Sequence, residues 1–167
     1  MINILDRLLK GFLVLLICSM LATVCWQVIS RYVLQAPSSL TEEIARFHLI
    51  WLGIGGAVYT FRTRMHVSID TMVANLTGRK RLIAELLSLA ATQLFAALVL
   101  VYGGIKLVLL TFTLNQTSAA LGLPMAYVYA IIPLSGVLII IYAGYFMRQA
   151  MTNPSSLETP TPNLDVS

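Results

Sequence analysis

The chain is poor in charged residues. Asp, Glu, Lys and Arg make up 11% of its 167 residues, whereas apolar residues make up 58%. Soluble domains carry about 25% charged residues, so these few charges cannot cover the surface of a soluble globule. The composition excludes an ordinary soluble domain and predicts an integral membrane protein.

Cysteine and histidine are also scarce, with two residues of each. Cys18 and Cys25 lie about 10 Å apart along one apolar helix, too far for a disulfide, and no Cys/His spacing typical of zinc occurs. His66 and Asp70 are four residues apart, but no nearby nucleophile completes a triad, so they favour ordering of a loop. We assign no catalytic, cofactor or metal residue and do not expect an enzyme.

Long uncharged runs dominate the chain instead. A bilayer span needs about 20 mainly apolar residues, and four stretches satisfy that length. The first could be a signal peptide, since Arg7 and Lys10 precede it. Its apolar run is too long for one and no clear cleavage site follows, so an uncleaved helix is favoured. The predicted spans are 11–33, 40–62, 82–114 and 125–147.

The remaining segments complete an all-α membrane fold. Residues 65–77 are too short and polar to span, and their apolar spacing predicts a short helix at the membrane surface between the second and third spans. The third span would be about 50 Å long, against about 30 Å of hydrocarbon, so it must tilt or project, and Lys106 can snorkel. Residues 1–151 form one predicted four-helix domain, and residues 152–167 a disordered tail.

The start of the second span carries a charged cluster. Ser39 is placed as an N-cap with Glu42 at the capping-box spacing, and Glu43 shares the first turn. Arg46 follows at helical spacing, so the three charged side chains can pair on one face. They either cap a helix at a wet interface or contact a partner. A proton relay is disfavoured, because no span has an acid near its centre.

Two further residues in the spans have predicted roles. Trp51 lies deep enough in the second span to pack within a bundle rather than anchor it at the interface. Pro133, about two turns into the fourth span, should kink that helix.

The basic residues are distributed unevenly between the two ends of the spans. Eight of them fall at one end and two, Arg31 and Arg46, at the other, which places both termini in the cytoplasm. A cationic cluster beside a span indicates topology or contact with anionic lipid, and not nucleic acid. The eight are Arg7, Lys10, Arg62, Arg64, Arg79, Lys80, Arg81 and Arg148.

Three ordered motifs cover roughly residues 30–136. They are Arg31-Tyr32 with Pro37, Thr41-Glu42-Glu43-x-Ala45-Arg46, Trp51 and Gly56-Ala57; Arg62 with His66-Val67-x-Ile69-Asp70; and Gln116-Thr117-Ser118-x-Ala120-Leu121-x-x-Pro124-Met125 with Tyr129, Pro133 and Gly136. In this order they resemble the small membrane subunit of tripartite ATP-independent periplasmic (TRAP) transporters, the DctQ-like family. One departure is Leu40, where the family often has tryptophan.

The resemblance implies a non-catalytic subunit in a bacterial inner membrane. A periplasmic binding protein would deliver an organic anion, of the carboxylate or sialic acid type, and a large multi-span subunit would import it with sodium. The small subunit would scaffold that large subunit, contact membrane lipids and help form the periplasmic docking face. The substrate and sodium sites would belong to the large subunit.

Twelve residues are candidates for partner contact or structural roles. They are Arg31, Glu42, Glu43, Arg46, Trp51, Arg62, His66, Asp70, Gln116, Ser118, Pro124 and Pro133. The alternative function is a self-sufficient small homo-oligomeric transporter or channel. That alternative requires polar groups near the midplane, where the sequence offers only Gln93.

Overall fold

The computed structural model describes residues 2–36, 38–63 and 79–152. A π-helical segment, Ala96–Gly103, lies within the third long helical stretch, and the described residues contain no β-strand. The predicted surface helix over 65–77, with His66 and Asp70, lies outside the described residues, as does the tail from residue 153. The helices are α1 (Ile2–Tyr32), α2 (Ser39–Arg62), α3 (Arg79–Phe95), α4 (Gly104–Thr113), α5 (Met125–Tyr129) and α6 (Ile131–Thr152).

Four helical stretches are long and apolar enough to cross a membrane, which confirms the predicted all-α, four-span architecture. Span 1 starts earlier than expected, because α1 continues without interruption from the amphipathic start through Gly11 into the apolar run. Span 3 consists of α3, the π segment and α4, and span 4 of α5 and α6. Their bounds are Ile4–Tyr32, Ser39–Arg62, Leu82–Thr113 and Met125–Thr152.

Span 4 lies at the centre of the packing. It contains nine buried residues, whereas span 1 contains four, Leu9, Leu13, Leu16 and Ser30. Extensive contacts join span 1 to span 2, span 2 to span 4, and span 4 to span 3. Spans 1 and 3 each have one extensive neighbour, so most of their apolar surface is left for lipid or for a partner. The buried core consists of Leu9, Leu13, Val58, Tyr142 and Phe146.

Spans 3 and 4 approach closely through two glycines. A Cβ added at Gly136 would lie 2.7 Å from Leu100 Cβ on the π segment. A Cβ at Gly104 would lie 2.9 Å from Pro133 Cδ. Small residues allow membrane helices to pack at short backbone distances. This crossing therefore requires glycine, which has no Cβ, at both positions.

Span 4 is interrupted close to Pro133, where the sequence predicts a kink. The helix stops at Tyr129, Ala130 forms a turn, and α6 begins at Ile131. Pro133 has no N–H to donate to the Tyr129 carbonyl, and its ring crowds that carbonyl. The half-buried ring instead packs on Gly104, so the proline both breaks span 4 and contacts span 3.

Candidate functional site: two polar clusters at opposite ends of the bundle

The loop between spans 3 and 4 is tightly folded. The Ser118 N–H donates to the Leu123 carbonyl at 2.8 Å, and the Gly122 N–H donates to the Ser118 carbonyl at 3.1 Å. Asn115 and Gly122 adopt left-handed backbone conformations, with φ of 48° and 65°. Asparagine and glycine tolerate that region better than other residues, so the loop sequence suits its fold. This conformation directs a run of backbone N–H groups toward α2.

Glu43 accepts three hydrogen bonds from that run. The N–H groups of Ala119, Ala120 and Leu121 lie 3.1, 2.8 and 2.9 Å from its carboxylate oxygens. Successive N–H groups in a turn form a concave anion site, and bonds to a charged acceptor are stronger than neutral ones. We call this contact the Glu43 loop clamp. It joins the first turn of α2 to a loop that follows it by more than seventy residues.

Three other candidate residues belong to the same loop. The Ser118 side chain is buried and lies against the Glu43 carboxylate, but its hydroxyl makes no hydrogen bond of good geometry. Gln116 is exposed, and its carbonyl accepts the Met125 N–H at 2.9 Å. Pro124 is half-buried immediately before α5 and forms an isolated bridge with Thr117. The loop therefore contributes backbone groups more than side chains.

The remaining charges at this end of the bundle point outward. Arg31, Glu42 and Arg46 are exposed. Among the described residues Arg46 forms no ion pair with Glu42 or Glu43, so the predicted pairing on one helix face is wrong. For Glu43 the physical reason is that the loop N–H groups occupy its carboxylate. The exposed charges remain available to a partner.

The predicted cap of α2 is also wrong. Ser38, not Ser39, is the N-cap, and its side chain makes no capping hydrogen bond. The Thr41 hydroxyl instead donates to the Ser38 carbonyl at 2.9 Å. The capping box with Glu42 does not form, and the tertiary contact of Glu43 holds the helix start.

Trp51 connects three spans. Its indole N–H donates to the Val128 carbonyl at 3.0 Å, which ties span 2 to the first helix of span 4. Its ring lies 5.9 Å, centroid to centroid, from the ring of Phe12 on span 1. A buried indole usually finds such an acceptor, and Val128 provides one close to the break in span 4.

A second polar cluster lies at the opposite end of the bundle. The Arg62 guanidinium binds the Asp6 carboxylate with Nε and a terminal nitrogen, at 3.0 and 2.7 Å. The Tyr142 hydroxyl donates to the same carboxylate at 2.9 Å. The guanidinium also lies 5.6 Å from the ring centroids of both Tyr142 and Phe146. We call these four residues the Asp6 cluster; it joins spans 1, 2 and 4.

Arg62 is a candidate of the sequence analysis, but Asp6 and Tyr142 are not. One signal does point to Asp6. It is the single carboxylate before Glu42, and it sits at the start of an apolar helix. Acids within membrane helices usually pair with a base, so a basic residue at the same end was to be expected. Nothing comparable marks Tyr142, which is fully buried.

The two clusters define the ends of the bundle. The Asp6 cluster brings together the start of span 1, the end of span 2 and the last half of span 4. The Glu43 loop clamp brings together the start of span 2 and the loop after span 3. The described residues contain no group of three His, Cys, Asp or Glu that could hold a metal ion. Both clusters thus serve to connect helices.

Comparison with known proteins identifies the class. A family model of tripartite ATP-independent periplasmic transporters, DctQ component, matches residues 20–153. The chain therefore belongs to the DctQ family of TRAP transporters, and it is a small permease component. Members of this family are transporter components and not enzymes. The resemblance drawn from the three motifs is confirmed, together with the multi-pass membrane location.

Individual relatives agree with this assignment. The C4-dicarboxylate TRAP transporter small permease protein DctQ of Rhodobacter capsulatus is 36% identical over 93 residues, 56% of this chain and 40% of that protein. A putative TRAP transporter small permease protein of Haemophilus influenzae is 26% identical over 137 residues, 82% of this chain and 83% of that one. The isethionate TRAP transporter permease protein DctMQ of Oleidesulfovibrio alaskensis is 29% identical over 138 residues, 75% of this chain but 21% of that protein.

Proposed function

We propose that this small TRAP permease subunit serves a sodium-coupled importer of an organic anion, which a periplasmic binding protein delivers. The support for the substrate class comes from relatives named for a C4-dicarboxylate and for isethionate, both of which are organic anions.

The proposed partner in the membrane is a large multi-span subunit. One relative is a permease protein DctMQ of which this chain covers only 21%, so a DctQ-like region can be part of a much longer permease chain. The exposed apolar surfaces of spans 1 and 3 suit a scaffold embedded beside another membrane protein. In this arrangement the substrate and sodium sites belong to the large subunit.

The proposed orientation puts both termini in the cytoplasm of a bacterium, with the spans in its inner membrane. The end with the Asp6 cluster carries most of the basic residues, including Arg7, Lys10, Arg62 and Arg148. Excess Lys and Arg mark the cytoplasmic ends of membrane helices. The Glu43 loop clamp then faces the periplasm.

The Glu43 loop clamp carries the proposal for a docking face. The Glu43 carboxylate accepts hydrogen bonds from three backbone N–H groups and so holds the loop in one conformation at the end of the bundle. Glu42, Arg46 and Gln116 are exposed at this end. We infer that the clamp orders this surface, and that its exposed polar groups contact the binding protein. A preformed surface binds with less loss of conformational entropy than a mobile one.

The test compares charge variants at neighbouring positions. The chain is expressed with the large subunit and binding protein of its transport system, and uptake of radiolabelled C4-dicarboxylate or isethionate is measured with and without a sodium gradient. Glu43→Gln should lower uptake strongly, because the clamp loses its charge. The matched variant Glu42→Gln, which alters an exposed carboxylate one residue away, should have a much smaller effect.

Two further measurements separate docking from assembly. Charge reversal by Arg46→Glu should weaken uptake and binding-protein affinity while the large subunit still co-purifies. The purified small subunit alone in liposomes should not transport either anion; transport by it would favour the self-sufficient carrier. If Glu43→Lys and Arg46→Glu both leave uptake and assembly unchanged, the docking role of this surface is wrong.

A further inference from the structure

Lys10 lies at the start of an uncharged stretch of span 1. Residues 11–30 are helical throughout and contain no Asp, Glu, Lys or Arg, and Lys10 and Arg31 flank them. A helix of about 20 residues extends about 30 Å, which equals the thickness of the hydrocarbon core of a bilayer. In a membrane Lys10 therefore lies at the level where the hydrocarbon ends and the lipid phosphates begin.

The carboxylate nearest to Lys10 in the chain is already engaged. Both oxygen atoms of Asp6 accept hydrogen bonds from Arg62, and one of them also accepts the Tyr142 hydroxyl. Lys10 is exposed, and its ammonium lies 5.8 Å from the centroid of the Tyr59 ring on span 2. Within the described part of the chain, Arg62 forms the ion pair with Asp6 and Lys10 does not. The charge of Lys10 thus adds a positive potential beside the Asp6 cluster.

A second exposed cation lies on the same face of span 1. Arg7 precedes Lys10 by three positions, and side chains at that spacing are neighbours on a helix surface. Two like charges at so short a distance repel each other, and an anion bound between them removes the repulsion. The pair therefore favours a shared anion.

An exposed apolar strip continues from these two cations along the helix. Its members follow at helical spacing, and Gly11 leaves open space beside Lys10, since no atom lies within 4 Å of an added Cβ. The strip extends roughly 16 Å from Lys10, close to the thickness of about 15 Å for the hydrocarbon of one leaflet. A ligand that matches both parts has an anionic group attached to an apolar chain. We call the two cations and the strip the Lys10 face; its residues are Arg7, Lys10, Gly11, Val14, Cys18 and Leu21.

We propose that the Lys10 face binds an anionic phospholipid, with the lipid phosphate between Arg7 and Lys10 and one acyl chain along the strip. Charge complementarity selects a headgroup of net negative charge, because the amine of a zwitterionic phosphatidylethanolamine is repelled by the same two cations. The Tyr59 ring stabilises the Lys10 ammonium from the protein side. Since Lys10 thereby contacts span 2 beside the Asp6 cluster, a bound lipid should stabilise this end of the bundle.

Lipid binding by the full-length chain tests the chemistry of the ligand. The chain is purified in a neutral detergent, delipidated and titrated with phosphatidylglycerol, and native mass spectrometry measures the bound lipid. Phosphatidylglycerol should bind more tightly than phosphatidylethanolamine and should raise the apparent Tm, whereas inorganic phosphate should do neither. Equal binding of the two lipids would overturn the proposal. Binding of inorganic phosphate as tight as that of phosphatidylglycerol would assign the cations to a soluble anion and overturn it as well.

Removal of the cations tests their position. A Lys or Arg near the membrane surface contributes about 1 kcal/mol to the attraction of anionic lipid, so Lys10→Gln should weaken phosphatidylglycerol binding about fivefold and the double variant Arg7→Gln/Lys10→Gln about 25-fold. The matched double variant Arg31→Gln/Arg46→Gln removes two exposed cations at the other end of the bundle. It should leave the affinity within about twofold of the wild-type value. Equal losses in the two double variants would mean that net charge, and not the Lys10 face, attracts the lipid.

Two controls distinguish the lipid site from a folding defect and from a protein contact. Without added lipid, Arg7→Gln/Lys10→Gln should unfold at nearly the same Tm as the wild type, and only the rise in Tm with phosphatidylglycerol should be lost. In membranes with the large subunit co-expressed, this variant should still co-purify that subunit. Loss of the large subunit with unchanged phosphatidylglycerol binding would assign the Lys10 face to a protein partner and overturn the lipid site.

Discussion

The Arg62 guanidinium donates hydrogen bonds from two nitrogen atoms to the Asp6 carboxylate, although the two residues are 56 positions apart in the chain. The contact fixes the end of α2 to the start of α1. Both side chains are 24% exposed, so the pair lies at the edge of the bundle and not in its fully buried core. A bidentate pair of this kind is more directional than a single ion contact.

Asp6→Asn should destabilise the subunit by about 1–2 kcal/mol, because the guanidinium loses its charged acceptor while remaining partly shielded from water. The apparent Tm in detergent should fall, as measured by intrinsic tryptophan fluorescence. Arg7→Ala, which removes an exposed cation next to Asp6, is the control and should leave the Tm nearly unchanged. Equal effects from the two variants would contradict a specific role for the Asp6–Arg62 contact.

Tyr142→Phe should lower the free energy of unfolding by about 0.5–1.5 kcal/mol, which is the usual net contribution of one hydrogen bond to stability. The variant keeps the buried ring beneath Arg62 and removes only the hydroxyl that donates to Asp6. Tyr145→Phe, on an exposed ring three residues away, provides the matched control. In the Asp6→Asn background the effect of Tyr142→Phe should shrink, since the charged acceptor is already lost; an undiminished effect would mean that the hydroxyl acts elsewhere.

Gly136→Ala should destabilise the packing of spans 3 and 4 by about 1–3 kcal/mol, as overpacking does. The added methyl group would lie 2.7 Å from Leu100 Cβ, so the two spans would have to separate. The control is Gly144→Ala on the same span, where no atom lies within 4 Å of the added group. Gly144→Ala should be neutral or slightly stabilising, because alanine favours helix by about 1 kcal/mol over glycine. Similar Tm losses for both variants would rule out the close approach at Gly136.

A reporter inserted at Gln116 should be exposed outside the cytoplasm. Alkaline phosphatase is active only after export, so its insertion at Gln116 should give activity, and its fusion after Thr152 should not. A fluorescent protein that folds in the cytoplasm provides the reciprocal reporter at Thr152. Phosphatase activity at the carboxyl end, or its absence at Gln116, would invert the topology drawn from the basic residues.

The four spans could be predicted from the sequence because each depends on a local property. An uncharged run of about 20 residues is long enough to cross a bilayer wherever its partners lie. The break near Pro133 is local in the same sense, since a proline lacks the N–H that the helix needs. The motifs around Thr41 and Gln116 likewise identified the family before any contact was known.

The partners of the candidate residues could not be predicted in this way. Sequence spacing favoured pairing of Glu43 with Arg46 on one helix. In the structure the Glu43 carboxylate instead binds three loop N–H groups that lie 76 to 78 positions further along the chain. Asp6 and Tyr142 are 136 positions apart, and nothing local in either segment indicates the other. A charged or polar group inside a membrane protein binds whichever complementary group the packing brings within reach.

By itself, the sequence determined that this protein is a four-span DctQ-type subunit, because apolar run length, charge distribution and motif order are properties of the chain. Only the tertiary structure decided that Glu43 clamps a loop, that Asp6 joins three spans, and that Lys106 faces away from the bundle. Hydrogen bonds and ion pairs require atoms within about 3 Å of one another, and helix packing sets those distances.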